Sequence, residues 1–229
     1  MHKYIAFIPV RGGSKSIPMK NIRIINQRPL VYWCLDAAVM CEEIDHVFVS
    51  TDSEEIKQCV LKYDHQKVTV VSRSEDVSTD TASTESVMLE FAKTHDFENI
   101  VLLQATSPLI TSQDISNGIK RFSEKGIDSV LSVVRQKRFI WKEEGSQVVP
   151  YNYDPLNRPR RQDFEGYLVE NGALYITSKE RLLQTKCRIS GNISAIEMTA
   201  ESYYELDEWS DWYIIESLLK MREQSGMGV

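Results

Sequence analysis

Paired cysteines, long apolar runs and excess positive charge are all missing from this sequence of 229 residues. The four cysteines, Cys34, Cys41, Cys59 and Cys187, show no CxxC spacing, which excludes a zinc ribbon and a disulfide framework and fits a reducing cytoplasm. No stretch approaches the ~18 apolar residues of a membrane span. The apolar start Ile5–Val10 stops at Arg11, too short for a signal-peptide core, so a cytoplasmic protein without a membrane partner is expected. Lys+Arg 27 against Asp+Glu 33 leaves a net charge of −6, which argues against a nucleic-acid partner, because phosphate backbones reward clustered cations. His2, His46, His65 and His95 have no metal-like spacing, and there is no Gly-x-Ser-x-Gly elbow, P-loop or GxGxxG fingerprint.

What is present is a strand–helix rhythm. Apolar strand-length runs at Tyr4–Pro9, His46–Ser50, Val68–Val71, Ile100–Gln104 and Ser129–Val134 alternate with helical patterns at Leu30–Met40, Glu54–Tyr63, Ser83–Thr94 and Ser112–Glu124. That order predicts an α/β fold, a mostly parallel, Rossmann-like sheet flanked by helices. The rhythm breaks between Arg135 and Gly166, where Gly145, Pro150, Pro155 and Pro159 punctuate a charged stretch. Residues 136–170 are therefore expected to form a small lobe or insertion on a single domain spanning 1–229. Strands at Gly172–Thr177 and Ile193–Met198, a helix from Ser210 to Met221 and a frayed tail from Gln224 complete the prediction.

In open α/β sheets, ligands bind outside the carboxyl ends of the strands. The groups expected there are Arg11-Gly12-Gly13-Ser14-Lys15, Ser50-Thr51-Asp52, Arg73, Gln104-Ala105-Thr106-Ser107-Pro108 and Arg135. The first loop continues through Ile17-Pro18 to Lys20-Asn21. Two adjacent glycines let backbone N–H groups approach phosphate oxygens, and the flanking cations neutralise charge on a leaving pyrophosphate.

Arg-Gly-Gly-Ser-Lys followed by Ile-Pro and Lys-Asn resembles the nucleotide-binding signature of the acylneuraminate cytidylyltransferases, which activate sialic acids as CMP-sugars. The resemblance recurs in order at Ser50-Thr51-Asp52, Asp80-Thr81-Ala82-Ser83, Gln104–Leu109, Arg158-Pro159-Arg160-Arg161-Gln162-Asp163 and Glu170-Asn171-Gly172-Ala173. The last two blocks look like the catalytic domain of the animal members. At 229 residues, the phosphatase-like domain that vertebrate members carry is not expected in this sequence.

The resemblance implies a nucleotide-diphospho-sugar transferase fold and a Mg²⁺-dependent reaction. The C2 hydroxyl of a nine-carbon 2-keto-3-deoxy sugar acid, an N-acylneuraminate, attacks the α-phosphate of CTP and pyrophosphate leaves. By similarity, Arg11, Lys15 and Lys20 act on the triphosphate, with Lys20 the cation most needed at the α-phosphate. Gly12, Gly13, Ser14 and Asn21 complete the nucleotide loop, and Arg73, Ala82 and Thr84 border cytosine and ribose. Read without the resemblance, Thr84 is a first-turn helix residue beside a Ser83 cap, and Arg73 an ion-pair partner. Gln104, Thr106, Ser107, Arg161, Gln162 and Asn171 would meet the sugar acid, a guanidinium suiting its carboxylate. In the family the lobe reaches a neighbouring subunit, which implies a homodimer.

The metal site departs from the family's Asp-x-Asp, reading Glu205-Leu206-Asp207. In an extended segment these two carboxylates share a face, so Glu205 and Asp207 are expected to point together at one Mg²⁺, with Asp207 the principal ligand. Asp211 is expected to sit at the N-terminus of the last helix, and Trp141, Trp209 and Trp212 to be structural. Two alternatives stand beside this reading. One is the same chemistry on legionaminate, pseudaminate, Kdn or, least favoured, Kdo; the other is a silent nucleotide- or sugar-binding module, which Glu205 keeps open.

Overall fold

The computed structural model describes residues 1–79 and 81–225. Asp80, in one of the resemblance blocks, and residues 226–229, most of the expected frayed tail, lie outside the described residues.

The strands are β1 (His2–Pro9), β2 (Ile24–Ile25), β3 (Arg28–Pro29), β4 (His46–Thr51), β5 (Val68–Ser72), β6 (Phe97–Leu103), β7 (Ser129–Gln136), β8 (Trp141–Glu144), β9 (Gln147–Pro150), β10 (Tyr167–Ser178) and β11 (Ile193–Met198). The helices are α1 (Leu30–Met40), α2 (Glu54–Leu61), α3 (Thr84–Thr94), α4 (Ser112–Phe122), α5 (Lys179–Thr185) and α6 (Trp209–Gln224). Seven strands form one sheet in the order β11-β7-β10-β6-β1-β4-β5. Every pairing in it is parallel except those of β10, which runs antiparallel to both β6 and β7.

Strand alternation makes this a three-layer molecule. Along β1, Tyr4, Ala6 and Ile8 pack on one face with α1, α2 and α4, through Val31, Cys34, Ile56, Val60, Ile115 and Ile119. Ile5 and Phe7 pack on the other with Val87, Met88 and Phe91 of α3 and Leu182 of α5. Val101 and Leu103 against Ile100 and Leu102 repeat the pattern on β6. A third cluster, Ile17, Ile25, Leu30, Trp33, Leu206, Trp212 and Ile215, anchors the loop after β1 and the segment before α6 to each other. The β2–β3 hairpin belongs to this region. Its two loop residues, Asn26 (φ 46°) and Gln27 (φ 69°), both take the left-handed conformation that a two-residue hairpin turn requires.

Serines begin three of the helices. Ser53, Ser83 and Ser178 accept from the amides of Ile56, Ser86 and Arg181. Thr111 caps α4, in a box with Asp114. In α6, Glu208 is the cap and Asp211 takes the place of Asp114, accepting from the amides of Asp207 (3.0 Å) and Glu208 (2.8 Å), at the helix N-terminus as expected. Trp212 is buried, whereas Trp209 is 41% exposed under Arg23.

The irregular stretch contains more order than its sequence suggests. The β8–β9 hairpin projects from the sheet, and Asn152 ties its base by accepting from the Ile140 amide and donating to the Arg138 carbonyl, both at 2.8 Å. Phe139 packs at a tilt against Tyr153 and Phe164 under the Arg158 guanidinium. Among the described residues no helix is long and apolar enough to cross a membrane, and all four cysteines are unpaired.

Candidate functional site

The chain leaves β1, crosses to β4 and β5 on one side, then returns to place β6 on the other. Strand order reverses between β1 and β6, and a crevice opens there at the carboxyl ends. The crevice holds a cavity of about 480 Å³, walled by Arg11, Ser14 and Lys15 of the first loop, Lys20 and Asn21, Arg73, Ala82 to Thr84, Gln104 to Thr106, and Asp207.

Two sets of contacts fix this wall. Lys20 is 8% exposed, following Met19 in a left-handed turn (φ 54°). Its Nζ donates to the Leu206 carbonyl (2.6 Å) and to Asp207 Oδ1 (3.1 Å). Ser16 Oγ donates to the Asp207 carbonyl, and the Leu206 amide to that of Thr106 (2.8 Å). The loop after β1 and the segment before α6 therefore meet at one ammonium and one carboxylate, and the loop after β6 is tied to that segment at Leu206.

Arg73 Nη2 donates to the Val10 carbonyl (2.6 Å) and to Asp52 Oδ1 (3.0 Å). Burial pulls its pKa down, the Asp52 carboxylate opposes this, and the neighbouring Arg11 cation adds to it. Arg73 Nε is buried without a partner among the described residues, a desolvated donor that points to a polar group completing the site.

Gln104 follows β6 with its carbonyl accepting from the buried Cys34 thiol (3.3 Å). Ser107 is buried behind it, and its hydroxyl donates to the Asn171 carbonyl (3.4 Å). Asn171 is 1% exposed: Nδ2 donates to the Ser202 carbonyl (2.9 Å), and Oδ1 accepts from Ser132 Oγ (2.6 Å). Neither residue lines the cavity. Nor do Gly12 and Gly13, nor Arg161 and Gln162, which are exposed on the lobe.

Residues 5–223 match the family model described as Cytidylyltransferase. The chain belongs to the cytidylyltransferase family. It is 38% identical over 219 residues to the N-acylneuraminate cytidylyltransferase of Oncorhynchus mykiss, aligning 92% of this chain with 49% of that one. To the CMP-N,N'-diacetyllegionaminic acid synthase of Legionella pneumophila subsp. pneumophila it is 25% identical, over 97% and 99% of the two chains. A solved CMP:2-keto-3-deoxy-manno-octonic acid synthetase complexed with CTP superposes with a TM-score of 0.72 at 16% identity, covering 96% of this chain and 99% of that one, which establishes the fold. The chain spans about half the length of the animal relatives it matches (49% for the trout protein).

Within this cytidylyltransferase fold the two carboxylates of the Glu-Leu-Asp segment differ in their access to the cavity. Asp207 faces the cavity and its side chain is 67% exposed. Glu205 is half-buried against the β10 bulge, where its carboxylate occupies the space that a side chain at Gly172 (φ +67°) would need. Burial raises the Glu205 pKa, and the carboxylates of Asp207 and Glu170 raise it further. Residues 204–207 are coil rather than strand, and Asp207 but not Glu205 lines the cavity. Among the described residues no three acidic, histidine or cysteine side chains cluster as a metal cage. A lone exposed carboxylate still fits magnesium, which keeps several waters and takes substrate phosphate oxygens beside one or two carboxylates.

Sequence reasoning left Asp52 without a role, although it sits in a resemblance block. In the structure its Oδ1 accepts from both the Gly12 amide (3.2 Å) and Arg73.

Proposed function

We propose that this protein transfers CMP from CTP to the C2 hydroxyl of a nine-carbon sialic-acid-like sugar, N-acylneuraminate first, and releases pyrophosphate. The observation carrying the proposal is the Lys20–Asp207 pair, held at one wall of a switch-point cavity in a chain of this family. The relatives named for N-acylneuraminate and diacetyllegionaminate support the acceptor class.

Phosphoryl transfer demands positioning and charge neutralisation rather than a covalent intermediate. The acceptor hydroxyl gives up its proton to solvent water and its oxygen bonds the α-phosphorus as the bond from that phosphorus to the β-phosphate oxygen breaks, pyrophosphate carrying away the electron pair. Lys20 has two of its three N–H groups committed, to Leu206 and Asp207, which leaves one for a phosphoryl oxygen. Its position is set before substrate arrives, so stabilising the developing charge costs no reorganisation. Arg11, Lys15 and Ser14 line the same wall and suit the departing pyrophosphate. Arg73, Ala82 and Thr84 line the cavity too and suit base and ribose, and Gln104 and Thr106 offer hydrogen bonds to the acceptor. Asp207 is the residue that would hold Mg²⁺, which supplies charge neutralisation to the triphosphate when bound.

The reading extends to a homodimer. Trp141, Val148, Tyr151 and Leu156 of the lobe are 48–90% exposed, an apolar surface that a second copy would cover. Arg161 and Gln162, remote from the cavity of their own chain, would then serve the partner's acceptor site. Four unpaired cysteines support a cytoplasmic setting. Pyrophosphate release with CTP, Mg²⁺ and a panel of N-acetylneuraminate, Kdn, legionaminate, pseudaminate and Kdo tests the assignment. Turnover with one nine-carbon acid is expected, and turnover with Kdo alone would overturn it. Light scattering tests the dimer.

A further inference from the structure

Three consecutive residues of the first loop each have a backbone group gripped by a side chain from elsewhere. The Val10 carbonyl accepts from Arg73, which follows β5. The Arg11 carbonyl accepts from Asn21 Nδ2 at 3.0 Å, and the Gly12 amide donates to Asp52 Oδ1 at 3.2 Å. Two of these grips pass through one atom, because Asp52 Oδ1 also accepts from Arg73 Nη2 at 3.0 Å. The Arg73 side chain is 6% exposed and that of Asp52 24% exposed.

Asp52 is itself firmly seated. It lies between Thr51, the last residue of β4, and Ser53, the cap of α2, and the Ser53 amide donates back to Thr51 Oγ1 (3.2 Å). The loop runs so close to this turn that a Cβ on Gly12 would stand 2.9 Å from that of Ser53. This closeness is what brings the Gly12 amide within reach of the carboxylate.

We infer that Asp52 is a positioning residue for the nucleotide: its carboxylate holds the Gly12 amide and orients the guanidinium that holds Val10, presetting the loop before a nucleoside triphosphate binds. Resting on the cytidylyl-transfer reading, this gives Asp52 a role in that site without contact to substrate. Without the carboxylate, Arg73 keeps, among the described residues, its hydrogen bond to Val10 alone, and the Gly12 amide loses its acceptor. A loop that must be ordered during binding binds more weakly, since the ordering cost is then drawn from affinity.

The test compares Asp52→Ala with Asp52→Asn, whose amide oxygen still accepts both hydrogen bonds. Asp52→Ala should weaken CTP binding, measured by calorimetry without acceptor, by roughly tenfold or more, the scale of a lost hydrogen bond to a charged group. The acceptor KM at saturating CTP should change by less than about twofold, and Asp52→Asn should recover most of the affinity. Hydrogen exchange at the Gly12 amide, independent of nucleotide, should quicken in Asp52→Ala and not in Asp52→Asn. Unchanged CTP affinity, or equal losses for CTP and acceptor with a fall in melting temperature, would overturn the inference. If the wild-type protein binds no CTP, the cytidylyl-transfer reading fails and the positioning of a nucleotide falls with it. Gly12 exchange would then report only whether the brace exists.

Discussion

Replacing Asn171 with alanine separates a load carried by the fold from a contact with substrate. Asn171 precedes Gly172 in the bulge between Glu170 and Tyr175, where β10 shifts register against β7. Its side chain spans three elements: Ser132 on β7, Met198 at the end of β11 and Ser202 in the turn before the Glu-Leu-Asp segment. Truncation strands the Ser202 carbonyl. Ser132 loses less, because its hydroxyl has Leu174 as a second partner, accepting from the amide at 2.9 Å. One stranded buried group, one weakened one and an unfilled space of amide size sum to roughly 2–4 kcal/mol. For a chain of this size that lowers the melting temperature by about 5–15 °C. Thermal unfolding by circular dichroism, with guanidinium titration for the free energy, measures it. A melting temperature within about 2 °C of wild type, together with a raised acceptor KM, would refute the structural reasoning.

Lys20→Ala should lower kcat by roughly a hundredfold or more with little change in acceptor KM, because its interaction strengthens as charge develops at the α-phosphate; steady-state kinetics decides. Asp207→Ala should raise the Mg²⁺ concentration needed for half-maximal rate by about tenfold or more, whereas Glu205→Gln should leave it nearly unchanged; a magnesium titration of each variant tells the two carboxylates apart. Arg161→Ala should raise the acceptor KM with CTP affinity intact, and an unchanged acceptor KM would remove Arg161 from the acceptor site.

The sheet was readable where burial imposed a pattern. Leu30–Met40 and Ile193–Met198 were bounded correctly, because a helix in the core and a strand of the sheet show their periods directly. The direction of β10 was not readable, since pairing with β6 and β7 at once is a non-local outcome, and its first residues Tyr167 and Leu168 are too exposed to read as core. The seven-residue α5 escaped because Leu182 is its one buried residue. The β8–β9 hairpin carries no apolar alternation, with β8 exposed throughout.

At the site, the loop cations and the residues after each strand were legible because topology delivers strand ends to one place. That Asp207 but not Glu205 lines the cavity was not, because Glu205 takes up the space left by Gly172 on another strand. Asp52 showed the reverse. Its block was visible, but its work on the Gly12 amide needs two loops to meet.

The most direct measurement of the central claim is a single incubation of the protein with CTP, Mg²⁺ and N-acetylneuraminate, followed by mass spectrometry of the nucleotide products beside a pyrophosphate assay. The account predicts a CMP-linked sugar and pyrophosphate in equal amounts, both abolished when CTP is replaced by UTP or when Mg²⁺ is chelated. CTP bound without release of pyrophosphate, with every nine-carbon acid tried and with Asp207→Ala indistinguishable from wild type, would contradict it.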